Sequence, residues 1–406
     1  MTESVVDLYL PGIGPCVRII HAPEVVAAFK KALAGWTASF VAPQEPPPPF
    51  YIKKDAEGLW QGERTTPDEF YIPSAPSAVC SVVGELIGYY LELQPELLGL
   101  HCAAVEIAGR LVLFPEDSRA GKSTLSAAFM AAGYRVFGDD VLALTAQGEG
   151  VAMGVAPRLR LPLPTSFSAE FSAYLAESIR LADDRYGFVL PVDAPLAPHA
   201  ERAPVGTIVL LERYSDELIH TEPELIRLPV GEGLLQLLCQ NFAYEASGEE
   251  LIDFLLPLMQ HSSCYLLRYG EPLTAARYVA RSLQQPAAAV HAASLLNPSL
   301  AEQSALGLGA RSLMTLWEPT QNVSRYEVGE ELFLIQTRSG VIHRLNNTGK
   351  AVWQLLQQEP LTGQELSEVL AESFDVDLAL VQSDIPPLLA ALEQAELIEM
   401  RQDAAE

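Results

Sequence analysis

A short apolar run that leads into Gly121-Lys122-Ser123-Thr124 constrains this chain more than any other feature. Arg110 to Phe114 reads as a buried strand, and the residues after Lys122 place Leu125, Ala128, Phe129 and Ala132 on one helical face. Gly133 suits the end of that helix, and Tyr134 to Phe137 reads as a second strand that delivers Gly138-Asp139-Asp140. Strand, loop, Gly-Lys-Ser, helix, strand and acidic pair is the layout of a phosphate-binding loop with metal-binding carboxylates. Backbone N–H groups at the helix N-terminus attract a polyphosphate, Lys122 adds a point charge, and the Ser123 hydroxyl suits Mg²⁺. Asp139 and Asp140 supply a metal contact and a base. The loop itself, Glu116-Asp117-Ser118-Arg119-Ala120, has an acidic residue where the phosphate-loop pattern asks for glycine, and Arg119 is placed to offset that charge.

These residues resemble the HPr kinase/phosphorylase family, and more closely the HPr-kinase-related proteins encoded with ribosomally made, modified peptides. The likeness is carried by Leu100-His101-Ala103-Ala104-Val105, Gly121 to Leu125, Gly133-Tyr134, Asp139-Asp140-Val141 and Pro157-Arg158-Leu159-Arg160-Leu161. It implies an α/β P-loop, PEP-carboxykinase-like domain that binds ATP through Ser118, Arg119, Ala120, Gly121, Lys122, Ser123 and Thr124. It further implies Mg²⁺ on Ser123, Asp139 and Asp140, and catalytic roles for Asp139, Asp140, Lys122 and His101. From spacing alone His101 is a packing histidine beside an apolar strand. Arg158 and Arg160 share one side of an extended segment; the resemblance favours Arg160 for a phosphate and leaves Arg158 at the surface.

With 406 residues, 49% of them apolar, two or three domains with packed cores are expected. A formal net charge of -26 and a pI near 4.6 oppose binding to nucleic-acid phosphates or to an anionic membrane. Cys16, Cys80, Cys102, Cys239 and Cys264 form no C-x-x-C pair, so neither zinc nor a disulfide framework is indicated, and a reduced cytoplasm fits. Residues 1–95 read as an α+β preamble: strands at Val5 to Leu10 and Cys16 to Ile20, a helix from Pro23 to Ala34, and a proline-rich surface loop at Pro43 to Pro49. A hairpin turn at Asp55 to Gly58 and a helix from Pro76 to Leu93 complete it. The kinase-like domain then runs over 96–284, with a strand at Thr207 to Glu212, helices at Gly233 to Phe242, Glu250 to Met259 and Leu273 to Leu283, and a strand at Cys264 to Tyr269. Residues 285–320, broken by proline and glycine, read as a linker.

From 321 to 401 a second module is expected. Ser324 to Val328, Leu332 to Thr337 and Val341 to Leu345 read as strands, and Asn346 and Thr362 cap two helices. A third helix is expected to begin near Asp384 or to kink, because Pro386-Pro387 opposes a helix interior. This winged-helix-like unit is similar to PqqD, the peptide chaperone of pyrroloquinoline quinone synthesis. Leu345-Asn346-Asn347-Thr348-Gly349 and Val352-Trp353-Leu355 carry the likeness. It implies that a leader peptide docks as an added strand on Val341, Ile342, His343, Arg344 and Leu345, against Leu388, Leu389 and Leu392.

Together the modules suggest an ATP-dependent kinase for a Ser or Thr of a ribosomally made precursor peptide. The leader would be tethered by the C-terminal unit, so that local substrate concentration rises toward the millimolar range. The alternative is an inactive kinase-like scaffold that hands the precursor to a separate modifying enzyme; a sensor acting on a carrier protein is a third reading. A homo-oligomer is compatible with the sequence.

Overall fold

A computed structural model of the chain describes residues 5–116, 120–190, 196–214, 221–242, 246–284 and 313–401. Ser118 and Arg119, and most of the expected linker, lie outside the described residues. The chain divides into two compact units: one of residues 1–228, 232–245 and 257–293, the other of residues 229–231, 246–256 and 294–406. All five cysteines are free. Among the described residues no helix is long and apolar enough to cross a membrane.

The first unit opens with a six-stranded sheet, in the order Ser39–Val41, Val5–Leu10, Gly14–Ile20, Phe50–Lys54, Leu59–Glu63, Glu69–Ile72. The expected hairpin is present, with Asp55 N–H donating to the Gly58 carbonyl at 3.0 Å. Helices Pro23–Ala32 and Ala75–Glu92 bury Phe29, Val79, Val82 and Leu86 with Leu8, Val17, Ile19 and Ile52, and the same core takes in Met153, Ala156 and Phe188 from later in the chain. The expected preamble therefore shares its core with residues 153–188. The proline-rich loop is tied down at its start: buried Asp7 accepts from Arg18 at 2.8 Å and from Gln44 N–H at 2.6 Å.

A larger sheet system carries the loop. Arg110–Pro115 lies antiparallel to Cys102–Ile107 and parallel to the twelve-residue strand Arg202–Arg213. The far end of Arg202–Arg213 pairs in parallel with Ser263–Tyr269, and its beginning pairs with Glu149–Val151 of a second sheet that continues through Leu142–Thr145 and Leu97–Leu100 to Asn241–Phe242. One strand thus belongs to both sheets. Helix Lys122–Ala131 buries Leu125, Ala128 and Phe129 against Ala276 and Val279 of helix Pro272–Gln284. One expected helix, Gly233 to Phe242, lies three residues earlier: it runs Val230–Cys239, and Asn241–Phe242 pairs instead with Leu97–Leu100.

In the second unit Val323–Val328, Glu331–Gln336 and Ile342–Leu345 form an antiparallel sheet. Leu316–Pro319, placed in the linker by its sequence, is a strand between Ile398–Met400 and Leu361–Thr362. Helices Asn347–Gln358 and Gly363–Phe374 start at the expected caps, the second with a complete Thr362–Glu365 capping box. The third helix corrects the expectation: it spans Leu378–Gln394 with Pro386 and Pro387 inside it. Ile385, Leu389 and Leu392 fall on one buried face, and that packing outweighs the backbone bonds the prolines forgo.

Candidate functional site

The helix N-terminus is shaped by Gly121, whose φ of 100° lies in the left-handed region. A Cβ there would also come within 2.8 Å of the Tyr269 hydroxyl, so a side chain is excluded twice over. Lys122 is buried and its ammonium donates to the Glu116 carbonyl, folding across the root of the loop. The Glu116 carboxylate accepts the Leu211 N–H at 2.8 Å, which directs it to the neighbouring strand. The acidic residue at the position of the first loop glycine therefore serves as an inter-strand acceptor.

Behind the loop, Gly138 admits a tight turn: a Cβ there would sit 2.4 Å from the Val141 carbonyl oxygen. That turn sets Asp139 and Asp140 in contrasting surroundings. Asp139 is buried, and its Oδ2 accepts the Arg158 N–H at 2.9 Å. Burial, reinforced by the charge of Asp140, pushes its carboxyl up to about 6, against the pull of hydrogen bonds from Arg158 and Ser123. Asp140 is 45% exposed, and its Oδ1 accepts from His101 Nε2 at 2.7 Å. That bond, with further help from Arg158 and Lys122, holds Asp140 below the usual carboxylate range.

His101 is positioned from both sides: its N–H donates to the Gln240 carbonyl at 2.8 Å, and Cys102 N–H donates to the Asp140 carbonyl at 3.1 Å. A shallow, open pocket of about 340 Å³ lies beside it, lined by His101, Val141, Cys239, Gln240, Asn241 and Phe242. Lys122, Ser123, Asp139, Asp140 and His101 are thus brought together. Arg160 is exposed and makes none of these contacts. The arginine at the acidic pair is Arg158, with its guanidinium 3.5 Å from Asp140 Oδ2 and 5.0 Å above the Tyr186 ring. The i, i+2 parity of Arg158 and Arg160 carried this information to within a choice of two.

The Ser123 hydroxyl and the Asp139 and Asp140 carboxylates are oxygen donors of the kind that suits Mg²⁺.

In the second unit, Ile342–Leu345 is the last strand of its sheet, paired with Glu331–Gln336 on one side. Val341 is exposed and precedes the strand, Ile342 and His343 are half-buried, and Arg344 donates to Glu331 at 2.8 Å. Desolvation lowers the His343 pKa. Leu345, Leu389 and Leu392 belong to the unit's own core with Trp317 and Trp353, and Leu388 packs on it partly buried. Of the eight positions expected to meet a peptide, these three leucines are structural, and the edge strand supplies the accessible part.

Residues 331–398 match the family of coenzyme PQQ synthesis protein D (PqqD). Two solved structures are similar to about a fifth of the chain. TbiB1 in complex with the TbiA(beta) leader peptide is 24% identical, over 21% of this chain and 99% of that one, with a TM-score of 0.20. The PqqD truncation of Methylobacterium extorquens PqqCD, a functional, stand-alone recognition element for ribosomally synthesized and post-translationally modified peptides, is 24% identical over 21% of this chain and 88% of that one, with a TM-score of 0.19. No curated protein matches the chain. By its family match the C-terminal unit is PqqD-like.

Proposed function

We propose that this chain is an ATP-dependent kinase that phosphorylates a Ser or Thr hydroxyl of a ribosomally synthesised precursor peptide, whose leader is held by the PqqD-like unit. The observation that carries the reading is the convergence of Lys122, Ser123, Asp139, Asp140 and His101 at the mouth of one helix. Mg-ATP, when bound, supplies the phosphoryl group and the charge that neutralises its transfer. Lys122, now on the Glu116 carbonyl, would hold the outer phosphates. Ser123 and buried Asp139 would hold the metal. Asp140, the accessible member of the pair, takes the acceptor proton, while His101 and Arg158 keep its carboxylate oriented. The leader adds a strand at Ile342–Leu345, with main-chain bonds giving affinity.

The test is Mg-ATP calorimetry, followed by mass spectrometry of a precursor peptide incubated with the protein. Lys122→Ala is expected to abolish both the ATP heat and the phosphate mass increment. Asp140→Asn is expected to keep the heat and to slow turnover roughly 10²- to 10⁴-fold. Peptide binding with no ATP heat in the unmodified protein would overturn the kinase and leave a scaffold that delivers the precursor to a separate enzyme. The engagement of the buried Lys122 ammonium with the Glu116 carbonyl is the observation that favours that second reading.

A further inference from the structure

The second unit carries an apolar patch that its own fold leaves open. Val369, Phe374, Val376, Leu378 and Leu380 are each between 38% and 57% exposed, and they lie in the stretch that ends helix Gly363–Phe374 and begins helix Leu378–Gln394. Five large apolar side chains within twelve residues differ from the scattered single hydrophobes that any surface tolerates. The junction is also rigid. Asp375 adopts a left-handed φ of 53°, Val376 N–H donates to the Ala371 carbonyl at 3.1 Å, and the Asp377 side chain accepts from Ala379 N–H at 2.7 Å. A partner would therefore meet a surface already ordered, with little conformational entropy left to lose.

The charge around the patch selects the partner. Residues 351–400 contain ten Asp and Glu and no Lys, Arg or His. Glu368, Glu372, Asp375 and Asp377 lie exposed within the patch sequence, and none forms an ion pair among the described residues. Such a field repels a second copy of this chain and an anionic lipid surface alike, while it attracts cations bordering an apolar stripe. We propose that this junction docks a lysine- or arginine-bearing amphipathic segment of a partner polypeptide. The site is separate in sequence from the edge strand Ile342–Leu345, and it does not depend on any phosphoryl transfer.

The probe is a labelled amphipathic helix of about 18 Leu and Lys residues, with its Leu/Glu counterpart as control, titrated into the full chain at about 0.15 M salt. Binding of the Leu/Lys peptide is expected, with amide-exchange protection over 369–380, and with at least a ten-fold loss in Phe374→Ser/Leu380→Ser. Glu372→Gln/Asp375→Asn should weaken binding as well and flatten its salt dependence; this pair keeps the test decisive should the first variant fold poorly. Undiminished binding by both variants would assign the peptide to the bulk charge of the chain and overturn the proposal, as would protection confined to 342–345. A dimer in sedimentation that Phe374→Ser/Leu380→Ser dissolves would give the patch to a second copy and overturn it too.

Discussion

Two adjacent aspartates illustrate how much a single chain position decides. Asp139 turns inward to the Arg158 amide and is pushed up to about 6, whereas Asp140 turns outward to His101 and is held low. A carboxyl raised in the folded state adds stability that is complete below its unfolded pKa of about 3.9 and is lost as pH rises through about 6. Asp139→Asn keeps an oxygen for the Arg158 amide and removes the charge. In metal-free buffer it is therefore expected to stabilise the protein at pH 7.5 by on the order of 2 kcal/mol, with no gain at pH 3.5, as read from denaturant midpoints at the two pH values. The proposed phosphoryl transfer should fall in the same variant. Glu116 teaches the complementary lesson: along the chain it looks like an obstacle to phosphate, yet its partner, the Leu211 amide, lies 95 positions away, beyond any local pattern. Glu116→Ala should leave that N–H without its acceptor and cost about 1–3 kcal/mol, whereas Glu116→Gln should be nearly neutral in thermal denaturation.

Among the elements, those with short-range signatures were legible and those set by tertiary packing were not. The Thr362–Glu365 box and the Asn346 cap are written in four residues each and appear where expected. Thr362→Ala should lower the stability of the PqqD-like unit by about 1 kcal/mol, measurable by urea unfolding followed at Trp317 and Trp353. Helix Leu378–Gln394 begins well before Asp384: its cap is Asp377, and burial of Ile385, Leu389 and Leu392 carries the helix through Pro386-Pro387. Asn241–Phe242 was misjudged for the same kind of reason, since only the open side of Leu97–Leu100 makes it a strand. The candidate site followed this division. Gly121-Lys122-Ser123 and the Asp pair were readable locally, while the choice of Arg158 over Arg160 needed the fold.

For the molecule as a whole, the proposed kinase separates recognition from chemistry between two units, which makes a kinetic statement. Excess free leader peptide should compete for the PqqD-like unit and raise KM for the full precursor by roughly 10²-fold or more, with kcat unchanged. A parallel fall in kcat would mean that the C-terminal unit does more than tether. Within the first unit, the strand Arg202–Arg213 runs through both sheets and offers Leu211 to the root of the loop. Glu116, at the root of the loop, is thereby tied to a strand that is paired on both sides. Amide exchange at Ile208 to Leu211 should then report only complete unfolding, and the Glu116 anchor should survive any loosening of the periphery.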